Sequence, residues 1–196
     1  MAGRYQGRRE SGLTALGVRQ GFALAQAFAQ HEPRLERIVA SPLLRCSATA
    51  KFVADRLNVK LETDDRLLEI AHGTWDGRLR EEIAADDPER FRAWKERPGS
   101  VDFEGGESLI NVRARWRNFA AAFDPPGPSL VVTHDAVVRV AILDAQNRSL
   151  DELWDVKVEN AGFAEFEVAG AGWTLVRENV NAHLDGVRAV IAGQAL

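Results

Sequence analysis

Apolar residues recur at helical spacing in four long stretches of the chain, and short apolar runs typical of strands lie between them. The first stretch runs from Thr14 to about Gln30, with Thr14 as the predicted N-cap and Pro33 beyond its end. Ser41-Pro42 predicts the start of a second helix, with Ser41 as N-cap, that reaches about Leu57. The other predicted helices cover 108–123 and 136–146, and the predicted strands cover 37–40, 59–62, 130–133, 162–168 and 173–178.

This alternation of helices and strands predicts an α/β fold with three layers, α/β/α, around a mostly parallel sheet with one antiparallel strand. Residues 65–106 interrupt the pattern, because they are mostly polar and contain only short predicted helices, 78–86 and 88–95, before a Gly105-Gly106 hinge. We expect a lid-like excursion on one domain that spans residues 1–196.

The charge and composition of the chain argue against several classes of binding partner and of structural site. The 196 residues include 25 basic and 29 acidic side chains, a net charge of −4, with the basic residues scattered, which argues against a nucleic-acid or anionic-membrane partner. Cys46 is the only cysteine, so an internal disulfide and a cysteine metal cluster are excluded. Because no apolar run suits a membrane span or a signal region, we expect a cytoplasmic protein. The oligomeric state is left open.

The ends of two predicted strands place polar residues where α/β proteins bind ligands, and a third candidate lies between them in the sequence. Arg45 falls in the first turn of a predicted helix, where a guanidinium suits a phosphate oxyanion, although a surface salt bridge would also explain it. His134 directly follows a predicted buried strand and could equally be a structural histidine. Glu69 follows apolar residues that would raise its pKa and make it a general acid, or it is an N-cap or an ion-pair partner.

Five segments in order carry a resemblance to a known family. They are Gly3-Arg4-Tyr5-Gln6-Gly7-Arg8 with Leu13-Thr14-x-Leu16-Gly17-x-x-Gln20, then Ser41-Pro42-Leu43-Leu44-Arg45-Cys46-Ser47-Ala48-Thr49-Ala50, Glu69-Ile70-x-x-Gly73-x-Trp75-x-Gly77, Gly106-Glu107-Ser108 and Val131-Val132-Thr133-His134. Together they resemble the histidine phosphatase superfamily, whose fold is phosphoglycerate mutase-like.

The resemblance implies roles for six residues. Arg45 would clamp the transferring phosphoryl group, His134 would donate hydrogen bonds to its oxygens, and Glu69 would protonate the leaving oxygen. The substrate-binding residues that it implies are Arg4, Gln6 and Gly7. We expect phosphate to stabilise the fold through Arg45 and a protonated His134, and Arg45→Ala to change the unliganded stability little.

The implied enzyme is a phosphomonoesterase that acts on a small phosphorylated metabolite through a phosphohistidine intermediate. An Arg/His cage needs no metal and no cofactor for this chemistry. A phosphatase is preferred to a phosphoglycerate mutase because the excursion at 65–106 is shorter than the corresponding insertion of the mutases.

One departure from the family concerns its first strand. That strand ends in Arg-His-Gly, whose histidine becomes phosphorylated, and this sequence contains no Arg-His-Gly. Its four histidines are His31, His72, His134 and His183, and none is a convincing substitute, so we expect the chain itself to be inactive. We favour Met1 as an internal methionine of a longer protein. The alternative is a natural pseudo-phosphatase that binds a phospho-ligand or a partner protein.

Two structural consequences follow from these departures. Asp135 stands where the family has glycine and would place a carboxylate beside the phosphate unless it turns away. The family's first strand lies between the strands that correspond here to 130–133 and 162–168. We therefore expect an open gap between these strands, another segment in the gap, or direct pairing of the two.

Overall fold

The computed structural model describes residues 3–30, 33–170 and 172–188, so His31 lies outside the described residues. Six α-helices and five β-strands form the described part of the fold. The helices are α1 Ala15–Ala29, α2 Leu44–Leu57, α3 Arg80–Asp86, α4 Pro88–Glu96, α5 Leu109–Ala122 and α6 Asp135–Ala145. The strands are β1 Arg37–Ala40, β2 Leu61–Thr63, β3 Ser129–Val132, β4 Phe163–Ala169 and β5 Gly172–Val180. None of the helices in this part of the chain has the length and apolar character to cross a bilayer.

The predicted starts of α1 and α5 are confirmed, and the capping contact is local in both helices. Thr14 caps α1, because its Oγ1 accepts a hydrogen bond from the Gly17 amide at 3.1 Å. Ser108 caps α5 in the same way, through the Asn111 amide. These contacts span three residues and can therefore be read from sequence.

The sheet confirms the predicted α/β fold with three layers. Strands β2, β1 and β3 are parallel and lie in that order. Side chains alternate across the sheet: Ile38 and Leu130 pack with α1 and α2, whereas Val39 and Val131 pack with α5 and α6. The antiparallel part differs from the prediction, since β4 pairs with β5 in a separate two-stranded sheet.

An open cleft separates the two sheets. Among the described residues, β3 has a strand neighbour only in β1, and β4 has one only in β5. One cavity of about 840 Å³ extends between β3 and β4, where residues 129–132 line one side and residues 163–166 line the other, and continues past His134. Of the three expected outcomes, the structure has the open gap. We call this space the β3/β4 cleft.

The excursion at 65–106 packs more tightly than its polar composition suggests. Trp75, Ile83, Trp94 and Phe103 are almost fully buried in the larger hydrophobic core. A few large aromatic side chains bury enough apolar surface to fix a mostly polar segment. Its action as a lid stays a prediction.

Candidate active site

The six predicted site residues lie around one cavity. Arg45 follows β1 and His134 follows β3, and the carboxyl ends of these parallel strands meet at one edge of the sheet. The cavity is continuous with the β3/β4 cleft. The predicted residues that line it are Arg4, Gln6, Gly7, Arg45, Glu69 and His134.

Arg45 holds the loop that follows Tyr5. Its guanidinium donates hydrogen bonds to the Gly7 carbonyl at 2.8 Å and to the Arg9 carbonyl at 3.0 Å. Two of its five N–H groups have these partners in the described structure, so three remain for an oxyanion. These two hydrogen bonds support the loop, so they favour a larger loss of unliganded stability in Arg45→Ala than the small change expected from the sequence. Arg45 is also not a solvent-facing arginine in a surface salt bridge, since both of these bonds are to backbone carbonyls.

The loop itself depends on Gly7. Gly7 has a φ of +49°, and a Cβ at this position would overlap the Asp76 carboxylate. Gln6 donates to Ser11 Oγ at 3.3 Å, and the more exposed Arg4 donates to the Gly77 carbonyl at 2.8 Å. Gln6 and Gly7 thus line the inside of the cavity, whereas Arg4 lies at its rim.

His134 is buried, with 5% of its surface exposed, at the start of α6. Its Nε2 lies 2.8 Å from Ser41 Oγ, and its ring lies 3.5 Å from Cys46 Sγ. Burial, together with nearby Arg45, Arg115 and Arg8, lowers the pKa of His134 to about 2. This low pKa leaves His134 neutral near pH 7, and the neutral ring offers one N–H to a phosphoryl oxygen; protonation of His134 beside a bound phosphate stays a prediction.

Ser41 also departs from its predicted role. Helix α2 begins at Leu44, with Leu43 as its N-cap, so Ser41 does not cap this helix. Its hydroxyl is fully buried and lies within hydrogen-bonding distance of His134. Ser41 Oγ accepts from the Leu43 amide at 3.4 Å, before α2 begins, and its shorter contact is with His134, which is 93 residues away.

Glu69 has the properties of a general acid. Its side chain is 7% exposed, and burial, with the nearby Asp135 carboxylate, raises its pKa to about 7. The Ile70 amide, which donates to Glu69 Oε1 at 2.9 Å, and the nearby arginines oppose this rise only in part. Near neutral pH a large fraction of Glu69 is therefore protonated and can donate a proton.

Asp135 turns towards its own helix. Its carboxylate accepts a hydrogen bond from Arg139 Nε at 3.0 Å, one turn along α6. Burial raises the pKa of Asp135, and the Arg139 charge opposes that rise. The negative charge of Asp135, which was expected to repel a bound phosphate unless it turned away, is thus compensated by the Arg139 guanidinium.

Two arginines near the site were not predicted. Arg8 donates to the Glu69 carbonyl at 3.1 Å and pairs with Glu107 at 2.9 Å, and Arg115 pairs with the same carboxylate at 3.1 Å. Both are close enough to His134 to lower its pKa. The sequence signals were Arg8 at the end of the Gly3–Arg8 segment and Glu107 in Gly106-Glu107-Ser108, and neither signal indicated that these two residues meet.

The other two described histidines differ in position, because His72 is part of the cavity lining and His183 is not. His72 is 1% exposed, and its ring lies among those of Tyr5, Trp94 and Phe103. Burial lowers its pKa. His183 donates from Nε2 to the Ala161 carbonyl at 2.8 Å. Neither is placed as a nucleophile.

The sequence that places an arginine, a neutral histidine and a buried glutamic acid around this cavity matches a known family. The sequence profile of the histidine phosphatase superfamily (branch 1) matches residues 1–181. The chain belongs to the histidine phosphatase superfamily. The predicted membership is confirmed.

Several members of the histidine phosphatase superfamily are similar to this chain over most of its length. Phosphoserine phosphatase 1 of Hydrogenobacter thermophilus is 32% identical over 185 residues, which are 93% of this chain and 87% of that protein. The mycobacterial glucosyl-3-phosphoglycerate phosphatase in complex with inorganic phosphate has a TM-score of 0.79 at 27% identity, covering 93% of this chain and 94% of its own. Bacillus stearothermophilus YhfR has a TM-score of 0.84 at 25% identity, covering 93% and 91%.

Proposed function

We propose that this chain carries the phosphate-binding and acid-donating machinery of a phosphomonoesterase that works through a phosphohistidine intermediate. The observation that carries the proposal is the meeting of Arg45, His134 and a Glu69 of pKa about 7 around one cavity. Relatives that are named phosphatases support the reaction class. The substrate is a small phosphorylated metabolite, with phosphoserine as the first candidate.

Each of the site residues has a defined task in this reaction. The remaining N–H groups of Arg45, the ring N–H of His134 and the amides at the start of α6 bind the phosphoryl oxygens. Protonated Glu69 gives its proton to the leaving alkoxide as the P–O bond breaks and phosphorus bonds to the nucleophile. The resulting carboxylate then takes a proton from the water that cleaves the phosphohistidine. No metal ion is needed for these steps.

The nucleophile has to come from outside the described histidines. The ring nitrogens of His134 are in contact with Ser41 and Cys46, and His72 is packed among aromatic rings. The resemblance assigns this role to a histidine in a strand ending in Arg-His-Gly. We propose that the 196 residues alone do not turn over substrate.

The test compares the chain with a version extended at its amino end by a strand that ends in Arg-His-Gly. The extended chain should release inorganic phosphate from phosphoserine, whereas the original chain and a matched Arg-Ala-Gly extension should not. Turnover by the original chain would contradict the proposal. Isomerisation of 3-phosphoglycerate that depends on bisphosphoglycerate, without phosphate release, would indicate the mutase instead.

A non-catalytic role is the second candidate. The observation that favours it is that Arg45 and His134 line one cavity while His134 is already in contact with Ser41. A pseudo-phosphatase of this kind would bind phosphate or a phospho-ligand, and its extended version would stay inactive.

A further inference from the structure

The loop that carries Glu69 depends on side chains from elsewhere in the chain. Residues 68–72 form neither helix nor strand, so their backbone groups need partners outside a regular hydrogen-bond pattern. Glu107 supplies two of these partners. Its Oε2 accepts a hydrogen bond from the Ala71 amide at 3.2 Å, and its own amide donates to the Ala71 carbonyl at 2.8 Å. Glu107 thus binds both backbone groups of a residue two positions beyond Glu69.

Two arginines that pair with Glu107 bind the same loop. Arg8, whose guanidinium lies 2.9 Å from Glu107 Oε1, donates from Nε to the Glu69 carbonyl at 3.1 Å. Arg115 of α5 lies 3.1 Å from the same oxygen and donates to the Arg66 carbonyl at 2.7 Å. We call Arg8, Glu107 and Arg115 the Glu107 cluster. It binds the backbone before Glu69, at Glu69 and beyond it.

The Glu107 cluster also acts on Glu69 through its charges. The side chain of Glu107 is 18% exposed and that of Arg115 is 14% exposed, so solvent screens this ion pair only in part. The Arg115 charge lowers the pKa of Glu69, against the rise that burial causes. Without Glu107 the Arg115 charge would lose its counterion and would favour the ionised form of Glu69 more strongly.

The charges that act on Glu69 come from three helices. Asp135 of α6 raises the pKa of Glu69, whereas Arg45 of α2 and Arg115 of α5 lower it. The pKa of His134 is about 2, so its ring is neutral near pH 7. Of the two cations, Arg115 has a carboxylate counterion that also binds the loop of Glu69. One carboxylate therefore links the position of the acid to its protonation.

We propose that Glu107 is a positioning residue for the general acid: it fixes the backbone around Glu69 and balances Arg115, so that Glu69 presents a protonated carboxyl to the cavity. Glu107 is not among the described residues that line this cavity, so it acts through Glu69 and not on the substrate. The positioning of an acid rests on the proposed function; the effect of Glu107 on the protonation of Glu69 does not.

The first test follows the side-chain carboxyl of Glu69 in the 196-residue chain by carbon-13 NMR as the pH is raised, with Glu69→Gln to assign the signal. The wild-type chain should show a pKa of about 7 for Glu69. Glu107→Gln, which is similar in shape and neutral, should lower this pKa by about half a unit or more. Arg115→Gln should raise it, because a cation is removed. An unchanged pKa in folded Glu107→Gln would overturn the proposal.

Asp144→Asn is the matched control. Asp144 is 16% exposed and pairs with Arg117 of α5 at 2.6 Å, so it resembles Glu107 in burial and in the helix of its partner. It lies near the carboxyl end of α6, away from Glu69. Asp144→Asn should lower Tm and leave the pKa of Glu69 unchanged. The same shift as in Glu107→Gln would mean that the pKa follows stability alone, which would contradict the proposal.

The conservative variant separates position from charge. Glu107→Asp keeps the charge and shortens the side chain, so the pKa of Glu69 should stay near its wild-type value. In the chain extended by the Arg-His-Gly strand, kcat should fall about tenfold in Glu107→Asp with little change in KM, because the acid is displaced and the phosphate site is intact. A wild-type kcat in Glu107→Asp would contradict the positioning role. Should Glu107→Gln not fold, Arg115→Gln and Glu107→Asp decide.

Turnover separates this inference from the proposed function. An inactive extended chain, in which Glu107→Gln still lowers the pKa of Glu69, would contradict the proposed function and support the link between Glu107 and Glu69. An active extended chain, in which Glu107→Gln changes neither kcat nor the pKa of Glu69, would do the reverse.

Discussion

The two ends of the central cavity are built in opposite ways. At the phosphate end the charged and polar side chains have partners: Arg45 bonds the Gly7 carbonyl, His134 contacts Ser41, and Asp135 pairs with Arg139. In the β3/β4 cleft, strand edges face each other without pairing. Side-chain partners can hold a site locally, whereas an unpaired strand edge exposes a row of backbone N–H and C=O groups. The contrast is between a preorganised anion site and strand edges that are unpaired among the described residues.

The largest predicted effect comes from removing the general acid, Glu69, at the phosphate end of the cavity. In the version extended by the Arg-His-Gly strand, Glu69→Gln should lower kcat by about 10²–10⁴-fold, because the amide cannot protonate the leaving oxygen. The wild-type rate should fall as the pH rises above about 7, where Glu69 loses its proton. A phosphoester with an acidic leaving group, such as p-nitrophenyl phosphate, should show a smaller loss. An equal loss for both substrates would argue against the acid role.

The raised pKa of Glu69 also predicts that the free energy of unfolding depends on pH. The folded pKa of Glu69 lies above its unfolded value of 4.5, so its contribution is present below pH 4.5 and is lost as the pH rises through about 7. Glu69→Gln should therefore stabilise the unliganded chain at pH 8 by up to about 3 kcal/mol and have little effect at pH 4. Urea unfolding at the two pH values measures this. A stabilisation that is equal at both would contradict the buried, protonatable carboxyl.

Arg45 tests the link between anion binding and the loop that it holds. Phosphate, sulfate or vanadate should raise the Tm of the wild-type chain, and Arg45→Ala should abolish this rise. The variant should also lose about 1–3 kcal/mol without anion, because two hydrogen bonds to carbonyls disappear. Arg56→Ala, at an exposed position on the same helix, is the control and should keep both properties. An anion response that survives in Arg45→Ala would place the anion elsewhere.

The smallest expected effect belongs to Ser41. Ser41→Ala should lower the free energy of unfolding by about 1–2 kcal/mol, because His134 loses a buried partner. Ser47→Ala, whose hydroxyl donates only to the Leu44 carbonyl within α2, should cost less. Denaturant unfolding of both variants gives the comparison, and a larger loss for Ser47→Ala would contradict the role given to Ser41.

Local contacts explain which features could be predicted from sequence. The N-cap at Thr14 and the end of α2 at Leu57 depend on neighbours in the chain, and both were predicted correctly. The placement of Arg45 and His134 beside one cavity followed from the rule that parallel strands end at one edge.

The errors concern residues whose partners are distant in sequence. Ser41 was assigned to a helix cap, although it contacts His134, and Arg8 and Arg115 were missed because they meet at Glu107. Among the described residues β4 pairs only with β5, and this pairing depends on its separation from β3, a strand about 30 residues earlier in the chain. A local pattern contains no information about any of these contacts.

One measurement tests the central claim most directly. The extended chain is mixed with phosphoserine, quenched within the first turnovers at alkaline pH, where phosphohistidine survives, and analysed by mass spectrometry. We predict one phosphoryl group on the histidine of the added strand, and slower formation of this species in Glu69→Gln. Phosphate release without any phosphorylated histidine, or phosphorylation of His134 or His72 instead, would contradict the account.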